Sequence, residues 1–192
     1  VVQQDGARVE VLQPEPAARA QQRLQRQLAA VGQAQLQRLL DAWVERAQAP
    51  LIGRTARVGA QAGAERLGAT LYEIDPGNNG SPFHLHHSNE EMIIVVAGRP
   101  TLRTLDGLRQ LEPGDVVACP VGPRGAHQLQ NTTDEPVRAI VVSTMAYPEV
   151  AEQLDSDKVL VHSAPPGTAE RLALAFPREA QVDRLAGELR PT

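Results

Sequence analysis

Between Gly63 and about His162 the chain meets a turn former before any element can grow long. Asp75-Pro76-Gly77-Asn78-Asn79-Gly80, Asp106-Gly107, Glu112-Pro113-Gly114-Asp115 and Thr133-Asp134-Glu135-Pro136 punctuate it. Glycine supplies positive φ there, proline fixes φ, and Asx side chains bond nearby amides. The apolar runs between them, Gly68 to Ile74, Glu91 to Val96, Leu102 to Leu105, Val116 to Cys119 and Val137 to Thr144, have strand length. No helical stretch separates them, so the pattern predicts an all-β sandwich or barrel in preference to βαβ units.

The flanks read differently. Residues 1 to about 50 are rich in Gln, Ala, Leu and Arg. Leu24, Leu28 and Val31 share one helical face, and Leu36, Leu39, Leu40, Trp43 and Val44 form a second stripe out of phase with the first across Gly32. The spacing predicts two helices, or one kinked helix, from near Pro16 to just before Pro50, packed on the main domain or on a partner subunit. The chain therefore divides into a helical extension (1–50), a β domain (51–162) and a tail (163–192). That tail holds Pro165-Pro166-Gly167 and a short helical candidate from Thr168 to Ala175.

Composition narrows the function classes. Of 192 residues 42% are hydrophobic and 22% charged, as in globular proteins, and the net charge of -4 with scattered basic residues offers nucleic acid no footprint. The longest apolar run, Met92 to Ala97, is far too short to span a bilayer. The single cysteine, Cys119, can form no internal disulfide, and no signal-peptide pattern opens the sequence, so the cytoplasm is the expected compartment. Cys119, at a strand end before Pro120, reads as a small buried apolar residue rather than a nucleophile.

Chemistry concentrates in Ser81-Pro82-Phe83-His84-Leu85-His86-His87-Ser88-Asn89-Glu90-Glu91. On a strand, His84 and His86 point to one face while Leu85 and His87 point to the other. A turn at His87-Ser88-Asn89 brings in a carboxylate, from Glu90 or Glu91, and His127 follows a later Pro/Gly-rich turn. Three imidazoles and one carboxylate could surround a divalent ion.

In these residues the chain resembles the cupins. Their first motif (Gly, five residues, His-x-His, three or four residues, Glu, six residues, Gly) is met by His84, His86, Glu91 and Gly98, and this spacing favours Glu91 over Glu90. The second (Gly, five residues, Pro-x-Gly, two residues, His, three residues, Asn) is met by Gly114, Pro120, Gly122, His127 and Asn131. Two departures lie in loops: Gly77 sits one residue too far upstream, and four residues rather than two separate Gly122 from His127. The stretch from Gly63 to about His162 further resembles small single-barrel cupins, through Pro-Gly-Asn-Asn-Gly-Ser-Pro-Phe-His-Leu-His-His, Glu-Pro-Gly-Asp-Val-Val and Gly-Pro-Arg-Gly-Ala-His-Gln. The resemblance implies a double-stranded β-helix, or jelly roll, with the helical extension at its amino terminus, and a metal held by His84, His86, Glu91 and His127.

Neutral imidazoles and one carboxylate leave a divalent ion with a net charge of about +1 and, in octahedral geometry, two open positions. Mixed nitrogen and oxygen ligation admits Fe, Mn, Zn, Ni, Co or Cu. A small molecule presenting two oxygens would displace water there, so the expected activity is a metal-dependent oxidoreductase, dioxygenase-like, acting on a small oxygenated compound. A non-catalytic binding module and a structural metal serving assembly are the alternatives. No catalytic acid or base is assigned; Tyr72, Glu73 and Glu90 qualify by type alone. Gln128 is a candidate neighbour of the site. Asn131 reads as a turn residue, Arg99, Arg103 and Arg124 read as solvated surface charges, and His162 lies outside the motifs. The expected partners are a small-molecule ligand and a second copy of the chain.

Overall fold

The computed structural model describes residues 43–188. Its strands are β1 (Val44–Gln48), β2 (Leu51–Ala56), β3 (Gly68–Ile74), β4 (His84–His86), β5 (Glu91–Ala97), β6 (Thr101–Thr104) and β7 (Gly107–Gln110). They continue with β8 (Val116–Cys119), β9 (Gln128–Gln130), β10 (Val137–Ser143), β11 (Glu149–Gln153), β12 (Lys158–His162) and β13 (Ala173–Pro177). The five runs predicted from turn spacing are β3, β5, β6, β8 and β10, within a residue or so at each end.

All pairings are antiparallel. One sheet runs β1-β2-β3-β10-β5-β8, a second β13-β12-β11-β4, and a third β7-β6-β9. The second and third join at one point, where His84 and His127 exchange backbone hydrogen bonds of 3.2 and 2.8 Å. The core is built from the inward-facing residues of all the layers: Ile74 of β3, Ile93 and Val95 of β5, Leu102, Leu111, Cys119, Leu129, and Val137 and Ala139 of β10. Alternation along β5 sends Glu91, Ile93 and Val95 inward and Met92, Ile94 and Val96 outward.

Two expectations about the flanks are corrected. The helix drawn to Pro50 does not reach it, because Val44–Gln48 is a strand paired with β2 from Val44↔Thr55 to Gln48↔Leu51. An adjacent edge with open backbone groups outweighs a helical apolar pattern in so short a segment. The rest of that extension, including Leu24, Leu28, Val31, Leu36, Leu39 and Leu40, lies outside the described residues. The helix expected over Thr168 to Ala175 is likewise replaced. Ala173–Pro177 extends the second sheet by pairing with β12, Leu174 opposite Val161 and Phe176 opposite Val159. Among the described residues the α-helix is a single turn, Val58–Gln61, and no helix is long and apolar enough to cross a membrane.

Candidate metal centre

β4 presents His84 and His86 to the interior while Leu85, between them, is buried on the opposite side with Phe83, Ala126 and Leu154. The connection to β5 is pinned by Asn89, whose Oδ1 accepts from the Ala146 amide (2.6 Å) and whose Nδ2 donates to the Ala146 carbonyl (3.1 Å) and to Glu149. Glu91 then heads β5 facing inward. His127 arrives from the other side, after a 3₁₀ turn over Pro123–Gly125 and directly before β9.

His84, His86 and Glu91 bring one donor atom each within 4.8 Å of one another. Glu91 Oε2 lies 3.4 Å from His86 Nε2 and 3.3 Å from His127 Nε2. The His84 ring centroid is 4.8 Å from that of His86 and 4.4 Å from that of His127. The structure thus brings His84, His86 and Glu91 into one group, and His127 stands outside that group but against the Glu91 carboxylate and the His84 ring.

The opposite nitrogen of each ring decides what this cluster can hold. His84 Nδ1 donates to the Pro82 carbonyl (2.9 Å) and His127 Nδ1 to the Gly125 carbonyl (2.9 Å), since a carbonyl only accepts. His86 Nδ1 lies 3.3 Å from the buried carboxylate of Glu149. With Nδ1 protonated, the neutral rings of His86 and His127 turn their Nε2 lone pairs toward Glu91, which also offers only lone pairs. His86 Nε2 is buried without a hydrogen-bond partner. Such converging acceptors need a cation, and carboxylate or carbonyl groups behind ligating histidines are how metal sites orient their rings. The residues fit a divalent transition ion on this ground.

Protonation energetics agree. Burial, with His127 and His86 alongside, pulls His84 down to about 4. Burial also opposes charge on His127, but its contacts with Cys119, Glu91 and Gly125 prevail and push it up to about 10. Glu91 is buried too, yet His127 and His86 hold its carboxyl well below the usual carboxylate range. Without a metal, protons on the imidazoles balance the carboxylate.

The four residues line a cavity of about 210 Å³ together with Tyr72, Gly80, Ser81, Ile93, Leu129 and Val141. Of the acid–base candidates, only Tyr72 borders it, and burial followed by Glu91 raises its hydroxyl pKa, keeping it protonated. Glu73 faces the outer side of β3, bound by Arg54 (2.7 Å) and Arg138 (2.6 Å). Glu90 is exposed. Gln128 is buried but spends its amide on the Ser81 carbonyl (3.0 Å) and accepts from Gln130 (2.8 Å), bracing the wall rather than facing the cavity. Asn131 is a turn residue as expected, donating to the Ile74 and Glu135 carbonyls. Arg99 pairs with Glu112, Arg103 forks onto Asp155 while covering the Phe83 ring, and Arg124 is exposed. Cys119 is buried in the core, as expected. Glu149 and Asn89 carried no signal in the sequence as members of the site. His162, set aside as incidental, stands opposite Glu149 across β11 and β12, its Nδ1 buried without a partner.

An all-β barrel of antiparallel sheets with histidines and a glutamate facing its interior fits a double-stranded β-helix. Residues 70–143 match the family model described as a cupin domain, and the chain carries one. It is similar to a sugar phosphate isomerase of the cupin superfamily from Silicibacter pomeroyi, at 28% identity over 71% of this chain and 84% of that one, with a TM-score of 0.63. A protein from Acidithiobacillus ferrooxidans, provisionally named a sugar phosphate isomerase, shares the fold at 24% identity and a TM-score of 0.59, over 68% of this chain and 81% of that one. No curated protein matches the chain.

Proposed function

We propose that the chain is a metal-dependent enzyme acting on a small oxygenated organic compound inside the barrel. The observation that carries this reading is the convergence of acceptor atoms: the Nε2 atoms of His86 and His127 lie within 3.4 Å of the Glu91 carboxylate, His84 brings a ring nitrogen within 4.8 Å of His86 and Glu91, and each Nδ1 is held from behind. His84, His86, Glu91 and His127 would hold the ion, which supplies Lewis acidity toward a bound carbonyl or enolate oxygen and, if iron, access to oxygen chemistry. Tyr72, protonated at the cavity wall, can donate a hydrogen bond to a substrate oxygen where negative charge develops. Ile93, Leu129 and Val141 supply the apolar part of the wall, and the cavity of about 210 Å³ limits the substrate to a small molecule.

A dioxygenase-like oxidoreductase is one reaction this site supports. Isomerisation of a hydroxy-carbonyl compound is the second, favoured by the name of the Silicibacter protein and by a hydroxyl at the wall that can attend an oxyanion without any oxidant. Elemental analysis of the purified chain and of the His84→Ala/His86→Ala double variant tests the common premise: near-stoichiometric transition metal, lost in the variant. Absence of metal from both, even after reconstitution, overturns it. With metal present, an oxygen electrode and solvent-deuterium incorporation into a sugar phosphate separate the two reactions, and silence in both assays leaves binding or assembly as the role.

A further inference from the structure

One arginine stands apart from the others. Arg54, Arg99, Arg103, Arg138 and Arg178 each meet a carboxylate. Arg46 has no carboxylate partner among the described residues, as is true also of Arg57, Arg109, Arg124 and Arg171, but it is half-buried and its guanidinium reaches residues of the cavity wall. Its register partner on β2 is Gly53, and Gly53 in turn faces Ile74 of the core, so Arg46 shares the inner face of the sheet with Ile74 and Tyr72. Gly53 adds no side chain beside it. It could hardly be another residue, having φ of +136° and a Cβ position 2.2 Å from the Glu73 carbonyl oxygen. The guanidinium comes to rest 5.6 Å from the Tyr72 ring centroid, and Nη1 donates to the Gly80 carbonyl (2.7 Å). Tyr72 and Gly80 are both cavity walls. Nε and Nη2 make no hydrogen bond among the described residues, and a half-buried guanidinium that keeps a fork of donors open matches an oxyanion.

We propose that Arg46 binds the anionic end of the substrate, a carboxylate or a phosphate, at the rim of the cavity while the oxygenated end lies among the histidines and Glu91. The substrate is then a small anionic hydroxy- or oxo-compound, an inference that rests on the small-molecule reading above. Arg46 acts by binding and orientation and takes no part in bond making. Charge on the far end of the molecule sets its register in the cavity, so a neutral analogue loses both affinity and alignment.

Calorimetric titration of the full chain, as purified and after chelation, tests this with two pairs of probes. Ribose 5-phosphate is compared with ribose, and 2-oxoglutarate with 2-oxopentanoate, which lacks the distal carboxylate. The wild type should favour the anionic member of one pair by about ten- to a hundredfold, and which pair it is distinguishes phosphate from carboxylate. Arg46→Gln should abolish that preference with an unchanged melting temperature, Arg46→Lys should keep part of it, and the exposed Arg124→Gln should keep all of it. Equal losses on both members of a pair would show a structural role and overturn the proposal, as would a wild type with no preference in either pair. An Arg46-dependent preference in a chain that elemental analysis finds devoid of metal would leave the anion site standing while the metal reading fell; stoichiometric metal without the preference would do the reverse.

Discussion

His127 and His84 stand within a ring's width of each other and yet are driven in opposite directions. His127, at about 10, sits above its ordinary value of 6.5, so its contribution to stability is full below that value and fades as pH rises through 10. His84, at about 4, sits below 6.5, so its contribution is full above that value and is lost as pH falls through 4. The metal-free chain should therefore melt highest near pH 6.5 and lower on both sides, a profile that thermal melting from pH 4 to 10 checks; a flat profile would contradict the assignment. A divalent ion must take the place of the proton held against Glu91. Titrating Zn(II) or Mn(II) at pH 7 in buffers of different ionisation enthalpy should show net release of about one proton per ion, and binding without proton release would contradict the geometry. Glu149 deserves a variant of its own, because its carboxylate faces His86 Nδ1 and accepts from the His87 amide (3.2 Å) and Asn89. Glu149→Gln should weaken metal binding by about ten- to a hundredfold while leaving the four candidate ligands in place, as a competitive chelator titration would report.

Among the elements, the loop that departs from the cupin spacing has the clearest physical logic. The four residues between Gly122 and His127 include the 3₁₀ turn Pro123–Gly125, and Gly125 within it packs so closely on the preceding chain that a Cβ would lie 1.6 Å from the Pro120 carbonyl oxygen. The same residue's carbonyl holds His127 Nδ1. Gly125→Ala should cost about 1–3 kcal/mol of stability and, unlike an exposed substitution such as Arg124→Ala, reduce metal occupancy as well; denaturant melts and elemental analysis measure the two effects. The candidate positions were legible in the sequence because they depend on local rules, namely alternation along β4 and turn formers at fixed offsets. The sequence could not foretell Glu149, which meets His86 across 63 positions of chain with no pattern linking them. Arg46 was equally hidden, for Val44 had been counted into a helical stripe, and nothing in residues 44–48 announces that β2 and its Gly53 will receive them in a sheet. β13 escaped for the same reason: a segment exposed along its length becomes a strand only because β12 offers an edge.

For the molecule as a whole, the outer face of the six-stranded sheet is apolar at the β8 edge. Met92, Val96 and Val116 are 42%, 47% and 60% exposed, and Val116 stands opposite Ile94 in the β5–β8 register. A second copy of the chain is the proposed cover for this face, in line with the homodimer expected from the sequence. Light scattering should return twice the chain mass, and Val116→Glu/Met92→Glu should halve it; a monomeric wild type would overturn the proposal. The seam between the second and third sheets has its own consequence. The His84–His127 backbone pair bridges it, and both side chains belong to the candidate centre while Glu91 reaches it from the opposite sheet. An ion there would act as a clasp between the sheets, and its departure would loosen the backbone pair that bridges two of them. The amide protons of His84 and His127 should therefore trade with heavy water far sooner in the stripped chain than in the loaded one, so that two backbone positions report occupancy without any substrate being known.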